Sequence, residues 1–317
     1  MKLALLYAGQ GAQHPGMGAD LYREFPAFQA VMDAADKAVE FDLKTLCFEG
    51  PAETLSLTRY TQPCMVAFAA GVTQVLLQAG AKPAAAAGLS LGEYSALCAA
   101  GVFGPVQAVA LAAFRGAAME RAVQGRAGGM AAVLGLSRET LAEVCAKAGS
   151  AGVVEIANYN CPGQMAIAGD AAAVEEACRL AKEAGARRCV PLQVSGPFHT
   201  SLMAPAAQAL HGRFATETFK PMAFPVYFNC LGGPMGEGDT VPGLLEKQVR
   251  SGVFMEDILR RMADDGVDTV IEIGPGRVLS GLWKKTVKDR AVTLLSVETA
   301  EELAGAVQRI KEETTWN

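Results

Sequence analysis

Residues 87–94 read AGLSLGEY, and this stretch constrains the fold more than any other part of the sequence. It contains the pattern G-x-S-x-G, in which a serine lies on a sharp turn between a strand and a helix. Residues 84–88 form an alanine-rich strand candidate, and residues 91–100 have the composition of a helix. The stretch therefore predicts an α/β protein with Ser90 as a candidate nucleophile, although an ordinary turn with a serine in it would show the same pattern.

Strand and helix patterns alternate along most of the chain and predict a parallel sheet. The apolar run at residues 3–7 ends in a glycine-rich loop, and residues 269–273 end in the same way, as buried parallel strands do. Further strands are expected at 225–229 and 292–297, and helices at 20–40, 62–79, 105–123 and 299–313. This alternation is typical of an α/β core.

The segment between residues 126 and 195 has a different pattern, because its expected elements follow the order β-α-β-β-α-β of a ferredoxin-like unit. They are a strand at 129–136, a helix at 137–148 capped by Ser137, strands at 153–159 and 164–168 joined by a turn at 160–163, a helix at 170–184 capped by Asp170, and a strand at 188–194. We therefore expect a large domain of residues 1–125 and 196–317 with a parallel-sheet, α/β-hydrolase-like core. A small ferredoxin-like α+β subdomain of residues 126–195 is inserted into it.

Composition narrows the class of protein. Hydrophobic residues make up 51% of the chain and charged residues 19%, which allows a sizeable core and argues against disorder. The net charge of −5 disfavours non-specific binding to nucleic acid. The first apolar run is too short for a signal peptide, and no run approaches the roughly 18 apolar residues that a membrane span needs. We expect a cytoplasmic protein that binds neither membrane nor nucleic acid.

Eight cysteines are spread along the chain without C-x-x-C pairs or zinc-ligand spacing. We expect them to be reduced thiols in a reducing compartment, and we expect no metal site. A cysteine nucleophile is a minor alternative.

A serine nucleophile needs a base, and the sequence offers three histidines. His211 lies in a polar helical stretch and is expected at the surface, whereas His14 follows the first glycine-rich loop. His199 lies in a Gly/Pro loop that leaves a predicted strand, where α/β proteins place site residues. In the 317-residue chain 118 residues follow His199, and this position argues against a standard α/β-hydrolase, whose histidine lies near the C-terminus.

Six motifs in this order and spacing resemble the malonyl-CoA:acyl-carrier-protein transacylase family of bacterial fatty acid synthesis and the acyltransferase domains of polyketide synthases. They are GQGAQ at 9–13, GLSLGEY at 88–94, LAAFRGAAM at 111–119, NYNCPGQ at 158–164, SGPFH at 195–199 and IEIGPG at 271–276. The resemblance covers essentially the whole chain.

The resemblance implies a catalytic assignment. Ser90 is similar to the acylated nucleophile and His199 to its base, with the imidazole oriented by the backbone carbonyl of Gln248. The backbone N–H groups of Gln10 and Leu91 are similar to the family's oxyanion hole. A Ser–His pair suffices for a thioester because a thiolate leaves more readily than an amine, so that less help from the base is needed.

The resemblance also implies the substrate. Arg115 is similar to the arginine that binds the free carboxylate of malonate, and its planar fork suits a carboxylate better than lysine does. Phe198 directly precedes the histidine. In polyketide relatives, a phenylalanine at this position occurs in domains that select malonyl rather than methylmalonyl. Asn158 and Asn160 are expected to line the substrate cleft, although capping of a turn would explain them nearly as well.

The implied reaction is a ping-pong transfer of malonyl from malonyl-CoA to acyl carrier protein, the activity of an S-malonyltransferase. Malonyl-CoA is the substrate, no permanently bound cofactor is expected, and the family suggests a monomer. Because the carrier protein is acidic in this family, we expect it to dock on basic residues. The candidates are Lys284 and Lys285, with Lys288 and Arg290 nearby, and Arg187 and Arg188.

Two positions depart from the family pattern, and alternatives stay open. Leu89 stands where many members have histidine before the serine, and Ala8 stands where many have proline. A thioester hydrolase with the same residues, an acyltransferase of a polyketide pathway and an inactive carrier-binding module are the competing interpretations.

Overall fold

A computed structural model of the chain describes residues 1–192 and 196–315. These residues form two compact units. The first comprises Met1–Gly116, Thr218–Tyr227 and the described residues from Arg261 on, and the second comprises Ala117–Glu217 and Phe228–Arg260. The expected small subdomain of residues 126–195 belongs to the second unit as far as it is described, and its boundaries stay a prediction.

The strands are, in chain order, β1 (Leu3–Tyr7), β2 (Ala85–Gly88), β3 (Gly128–Leu134), β4 (Val154–Cys161), β5 (Gln164–Asp170), β6 (Arg188–Leu192), β7 (Val226–Phe228), β8 (Gly233–Pro234), β9 (Thr269–Ile273) and β10 (Thr293–Val297). The α-helices are α1 (Ala19–Glu24), α2 (Pro26–Asp36), α3 (Leu43–Phe48), α4 (Ala52–Leu55), α5 (Thr58–Gln78), α6 (Gly92–Ala99), α7 (Pro105–Ala122), α8 (Arg138–Ala148), α9 (Ala171–Glu183), α10 (Ala204–Phe214), α11 (Val241–Val249), α12 (Met255–Asp264), α13 (Val278–Thr286) and α14 (Ala300–Thr315).

The first unit is built on parallel strands in the order β10-β9-β1-β2-β7. All residues of the central strand β1 are buried, as its continuous apolar sequence predicts. Tyr7, the last residue of β1, is paired with Gly88 of β2 on one side and with Ile273 of β9 on the other. The loops that follow these three strands therefore leave the sheet at one edge, the carboxyl edge at which α/β proteins bind ligands.

The second unit contains an antiparallel sheet in the order β4-β5-β3-β6. Its elements follow the predicted order β-α-β-β-α-β, and α8 and α9 pack on the sheet around a buried apolar cluster that includes Leu141, Ile167 and Ala177. Ser137 caps α8 as predicted, since its side chain accepts a hydrogen bond from Thr140 N. The structure is thus a mixed α/β fold with one largely parallel and one antiparallel sheet.

Three details of this segment differ from the sequence prediction. Asn160 and Cys161 belong to β4 rather than to a turn, because Pro162 and Gly163 (φ 70°) make the reversal alone. Asp170 precedes α9, but its carboxylate binds Val153 N and Arg126 instead of capping the helix. The predicted strand 188–194 is seen as β6 up to Leu192, and residues 193–194 lie outside the described part of the chain.

Two further properties concern the whole described chain. None of the helices in residues 1–192 and 196–315 combines the length and apolar character that crossing a bilayer requires. None of the eight cysteines, all of which lie in the described residues, forms a disulfide.

Candidate active site

Ser90 lies in the sharp turn between β2 and α6 that the sequence predicts. Its φ of 51° is in the left-handed region, which is unfavourable for a residue with a side chain. The flanking glycines are required by contact, because a Cβ at Gly88 would lie 1.9 Å from the carbonyl carbon of Gly92, and a Cβ at Gly92 would lie 2.3 Å from Tyr7 O. The turn therefore holds the serine in a strained conformation at the carboxyl edge of the sheet.

Arg115 contacts the serine directly. Its Nη2 donates a hydrogen bond of 3.1 Å to Ser90 Oγ, and its side chain is fully buried in α7. Burial lowers the pKa of Arg115, while Tyr94 and Glu93 act in the opposite direction. The centre of the guanidinium is 5.6 Å from the centroid of the Tyr94 ring, within cation–π range. A buried cation thus lies within one hydrogen bond of the candidate nucleophile.

Gln10 and Leu91 lie in the two loops beside Ser90. The loops touch through backbone, since a Cβ at Gly9 would lie 2.6 Å from Leu89 O. Within residues 1–192 and 196–315, neither the N–H of Gln10 nor that of Leu91 donates to an acceptor. Donors of this kind can stabilise negative charge that develops on a reacting oxygen.

His199 lies in the second unit, and its geometry fits a general base. The residue is 4% exposed, and its Nδ1 is 2.9 Å from the backbone carbonyl oxygen of Gln248 in α11. A carbonyl can only accept, so Nδ1 carries the proton and Nε2 is left to act as the acceptor. Its φ is 63°, and Ser90 and His199 are the two non-glycine residues of the described chain with positive φ.

The other proposed substrate residues belong to the second unit as well. Phe198 is 6% exposed and lies in the same loop as His199. Asn158 is paired with Ala166 and forms an isolated bridge with Val253. Register shifts occur just before Asn158 and at Asn160. Such irregularities re-aim side chains and are frequent near active sites.

The proposed docking residues are all exposed. Lys284 and Lys285 lie in the last turn of α13. Arg188 is the first residue of β6, and Arg187 directly precedes it. The first pair belongs to the first unit and the second pair to the second unit.

The remaining histidines lie at the surface. The side chain of His211 is 74% exposed and pairs with Glu246, as the prediction of a surface residue requires. His14 is 48% exposed and pairs with Glu298, whose other oxygen accepts from Gly276 N. In these positions both imidazoles bind to carboxylates.

Two cysteines and the possible metal-binding side chains bear on the remaining expectations from the sequence. Burial raises the pKa of Cys98 and of Cys145 to about 12, so these thiols are protonated at neutral pH and are poor nucleophiles. In the described ranges, no group of three or more His, Cys, Asp or Glu side chains is placed to hold a metal ion.

Two buried polar residues that support the site do not follow from the sequence analysis. Thr58 Oγ1 accepts a hydrogen bond of 3.0 Å from the side-chain amide of Gln10. The buried carboxylate of Glu272 accepts from Leu279 N and Ser280 N and so fixes the start of α13. Glu272 stands in the IEIGPG motif, but the partner of Thr58 lies 48 positions away, and no local pattern reveals such a contact.

Comparisons with known proteins agree on one family. The model of the family described as "Acyl transferase domain" matches residues 5–315. The malonyl CoA-acyl carrier protein transacylase of Bacillus subtilis (strain 168) is 43% identical over 313 residues, which is 98% of each protein. The malonyl CoA-acyl carrier protein transacylase from Clostridium perfringens superimposes with a TM-score of 0.94 at 38% identity, covering 100% of this chain and 99% of that one.

A further solved structure holds a type II PKS acyl-carrier protein in complex with its malonyl-transacylase. It gives a TM-score of 0.93 at 36% identity and covers 98% of this chain and 100% of that one. The chain therefore belongs to the acyl transferase family and, within it, to the malonyl CoA-acyl carrier protein transacylases.

Proposed function

We propose that this chain transfers a malonyl group from malonyl-CoA to the phosphopantetheine thiol of acyl carrier protein, through a malonyl ester on Ser90. The hydrogen bond from Arg115 to Ser90 Oγ carries the proposal, because it places a buried cation beside the nucleophile. An acyl group that ends in a carboxylate satisfies that cation, whereas an acetyl group does not.

In the first half-reaction, Nε2 of His199 takes the proton of Ser90 Oγ as the oxygen attacks the thioester carbonyl. The N–H groups of Gln10 and Leu91 stabilise the oxyanion of the tetrahedral intermediate. The carbon–sulfur bond then breaks, and the imidazolium gives its proton to the thiolate of coenzyme A, which leaves as the thiol. The Nδ1 contact with the Gln248 carbonyl supports this role, because it leaves Nε2 as the acceptor.

In the second half-reaction, His199 takes the proton of the carrier-protein thiol, and the sulfur attacks the ester on Ser90. The intermediate collapses to malonyl thioester, and His199 returns the proton to Ser90 Oγ. Dividing the exchange into two matched steps avoids direct reaction between two large thiol carriers.

Selectivity is assigned to residues around the acyl group. The guanidinium of Arg115 binds the malonyl carboxylate through two parallel hydrogen bonds. The ring of Phe198 crowds an α-methyl branch and so disfavours methylmalonyl. Asn158 and Asn160 line the substrate cleft, and the register shifts in β4 support an aimed arrangement of their side chains.

The wider assignments are part of the same proposal. The parallel-sheet core is hydrolase-like, and the strand order β4-β5-β3-β6 supports a ferredoxin-like subdomain in residues 126–195. The enzyme acts as a cytoplasmic monomer without a permanently bound cofactor, and it docks the carrier protein on Lys284, Lys285, Arg187 and Arg188. Fatty acid synthesis is the pathway that it supplies.

Intact-protein mass spectrometry tests the function. The protein is incubated with malonyl-, methylmalonyl- or acetyl-CoA, with and without carrier protein that bears phosphopantetheine. We expect malonyl on Ser90, discharge to carrier protein, and no loading of Ser90→Ala. Ser95→Ala, which removes a buried hydroxyl from α6, serves as the control and loads normally. Malonyl that is lost to water faster than to carrier protein would indicate a hydrolase, and a protein that gains no mass would indicate a binding module.

A further inference from the structure

Thr58 is a buried residue that connects the start of α5 to the loop after β1. It is the first residue of the helix and is fully buried. Its Oγ1 lies 3.0 Å from Nε2 of Gln10, which donates the hydrogen bond. The loop that carries Gln10 is glycine-rich, with Gly9 before this residue and Gly11 (φ 106°) after it. A loop of this composition has large conformational freedom unless a contact fixes it.

The position of the Thr58 hydroxyl is itself fixed. A Cβ at Gly116 would lie 2.6 Å from Thr58 O and 2.9 Å from the Cα of Arg59, so α7 meets the first turn of α5 in backbone contact. Gly116 follows Arg115 directly in the sequence. The β-branched side chain of threonine also has few χ1 conformations in a helix. The helices that carry Thr58 and Arg115 are therefore in direct backbone contact next to these two residues.

We propose that Thr58 is a positioning residue, whose hydroxyl holds the Gln10 side chain and thereby aims the Gln10 backbone N–H at the oxyanion that forms during acyl transfer. The inference rests on the proposed function, in which Gln10 N–H is an oxyanion donor and Arg115 binds the substrate carboxylate. It adds that one buried residue fixes the donor loop relative to the arginine. Because the malonyl carboxylate is assigned to Arg115 and not to Gln10, Thr58 affects the rate of acylation more than the binding of substrate.

Thr58→Val tests the hydroxyl, because valine keeps the shape of the side chain but cannot accept a hydrogen bond. We expect the rate constant of acylation to fall about tenfold or more. It is measured as release of the coenzyme A thiol in a single turnover and is the kcat of the acylation step. This loss is smaller than the about 10²–10³-fold loss for complete removal of one oxyanion donor, because the N–H is loosened rather than deleted. The KM for malonyl-CoA should change by less than about threefold, and Thr58→Ser, which keeps the hydroxyl, should restore the rate.

The matched control is Thr61→Val on the same helix. Thr61 is also fully buried, and its hydroxyl donates to the carbonyls of Leu55 and Leu57 rather than binding Gln10. Thr61→Val should lower the thermal midpoint about as much as Thr58→Val and leave kcat near the wild-type value. An equal loss of kcat in both variants would show that Thr58 contributes stability only, and this result would overturn the proposal.

Gln10→Ala is a second test of the same contact. Alanine keeps the backbone N–H and removes the side-chain amide that donates to Thr58. We expect the same slow acylation as in Thr58→Val and no further loss in the double variant, since both remove one contact. Additive losses would overturn the proposal. If Thr58→Val does not fold, Gln10→Ala decides alone, and a wild-type rate would overturn the inference. A wild-type protein that malonyl-CoA does not acylate would instead refute the proposed function.

Discussion

Nη2 of Arg115 and Oγ of Ser90 are joined by a hydrogen bond of 3.1 Å, so the group proposed for selectivity contacts the proposed nucleophile within the first unit. A guanidinium has five N–H donors in a planar fork. It can hold a serine hydroxyl with one donor and present two parallel donors to a carboxylate. The proposed nucleophile and the proposed carboxylate-binding group are therefore in direct contact.

Substitutions of Arg115 should separate charge from geometry. We expect Arg115→Lys to reduce malonyl loading of Ser90 by about 10- to 100-fold, because hydrogen bonds to charged groups contribute about 1.5–3 kcal/mol and lysine lacks the fork. Arg115→Ala should lose more and should also narrow the preference for malonyl-CoA over acetyl-CoA. Loading is measured by mass, with Arg121→Lys, an exposed position in the same helix, as the control. An unchanged preference would remove Arg115 from this role.

Gln248 should act through its backbone rather than its side chain. Its carbonyl oxygen accepts from His199, and Gln248→Ala keeps that carbonyl. We expect this variant to keep kcat within a few fold and to show an unchanged pH profile, although the loss of a buried side chain should lower its thermal midpoint. His199→Ala should load Ser90 at least about 10²-fold more slowly, the lower range for general-base catalysis. A large loss of kcat in Gln248→Ala would mean that the side-chain amide of Gln248, and not its backbone carbonyl, orients His199.

Phe198 should control the size of the α-substituent. Phe198→Leu removes ring volume from a buried position, and we expect the ratio of methylmalonyl to malonyl loading to rise severalfold. Phe214→Leu changes a similarly buried ring in α10 of the same unit and should leave the ratio unaltered. Competition between the two thioesters, followed by mass, measures the ratio. An equal ratio in both variants would mean that Phe198 only packs beneath its loop.

Charge at α13 should affect carrier protein and not coenzyme A. We expect the double variant Lys284→Glu/Lys285→Glu to raise the KM for carrier protein several-fold, most strongly at low salt, since exposed charges are screened as ionic strength rises. The KM for malonyl-CoA should stay constant. The control Lys37→Glu/Lys82→Glu makes the same change in net charge at two other exposed lysines. Equal effects of both pairs would indicate net charge rather than docking.

Glu298 should hold the pKa of His14 above its usual value. Hydrogen bonding to the Pro15 carbonyl and to Glu298 raises the pKa of His14 above its usual 6.5. Its contribution to stability is therefore complete below about pH 6.5 and is lost as the pH rises through the raised value. The contribution is small, about 0–1 kcal/mol, because the pair is partly exposed. Titration by NMR should show that the pKa of His14 falls in the variant Glu298→Gln and is unchanged in the control Glu301→Gln.

Local sequence patterns predicted most of the strands and helices, and particular residues show where these predictions fail. The strand at 269–273 has the predicted bounds because a continuous apolar run between turn residues has few other interpretations. The sequence predicts a turn at Asn160, because asparagine before Cys-Pro-Gly is typical of one. Pairing of Cys161 with Gln164 extends the strand over it instead. The strand pairing across this hairpin therefore outweighs the turn propensity of Asn160.

The candidate site likewise has one part that local sequence patterns predict and another that they do not. The position of Ser90 followed from its glycines, since their contacts are imposed by the turn itself. The contact between Arg115 and Ser90 joins residues 25 positions apart, and that between Gln10 and Thr58 spans 48. Neither spacing corresponds to a period of helix or strand, so the partners meet only through the tertiary packing of separate elements.

The positive φ angles of Ser90 and His199 have a consequence for how this chain can be stabilised. A residue with a side chain is less stable in the left-handed region by roughly 1–2 kcal/mol, whereas glycine adopts it freely. Glycine at position 90 would therefore relieve the strain while deleting the oxygen proposed to react. Screens for thermal tolerance alone would then favour inert variants at this turn. The enzyme keeps its chemistry only where selection acts on turnover as well as on folding.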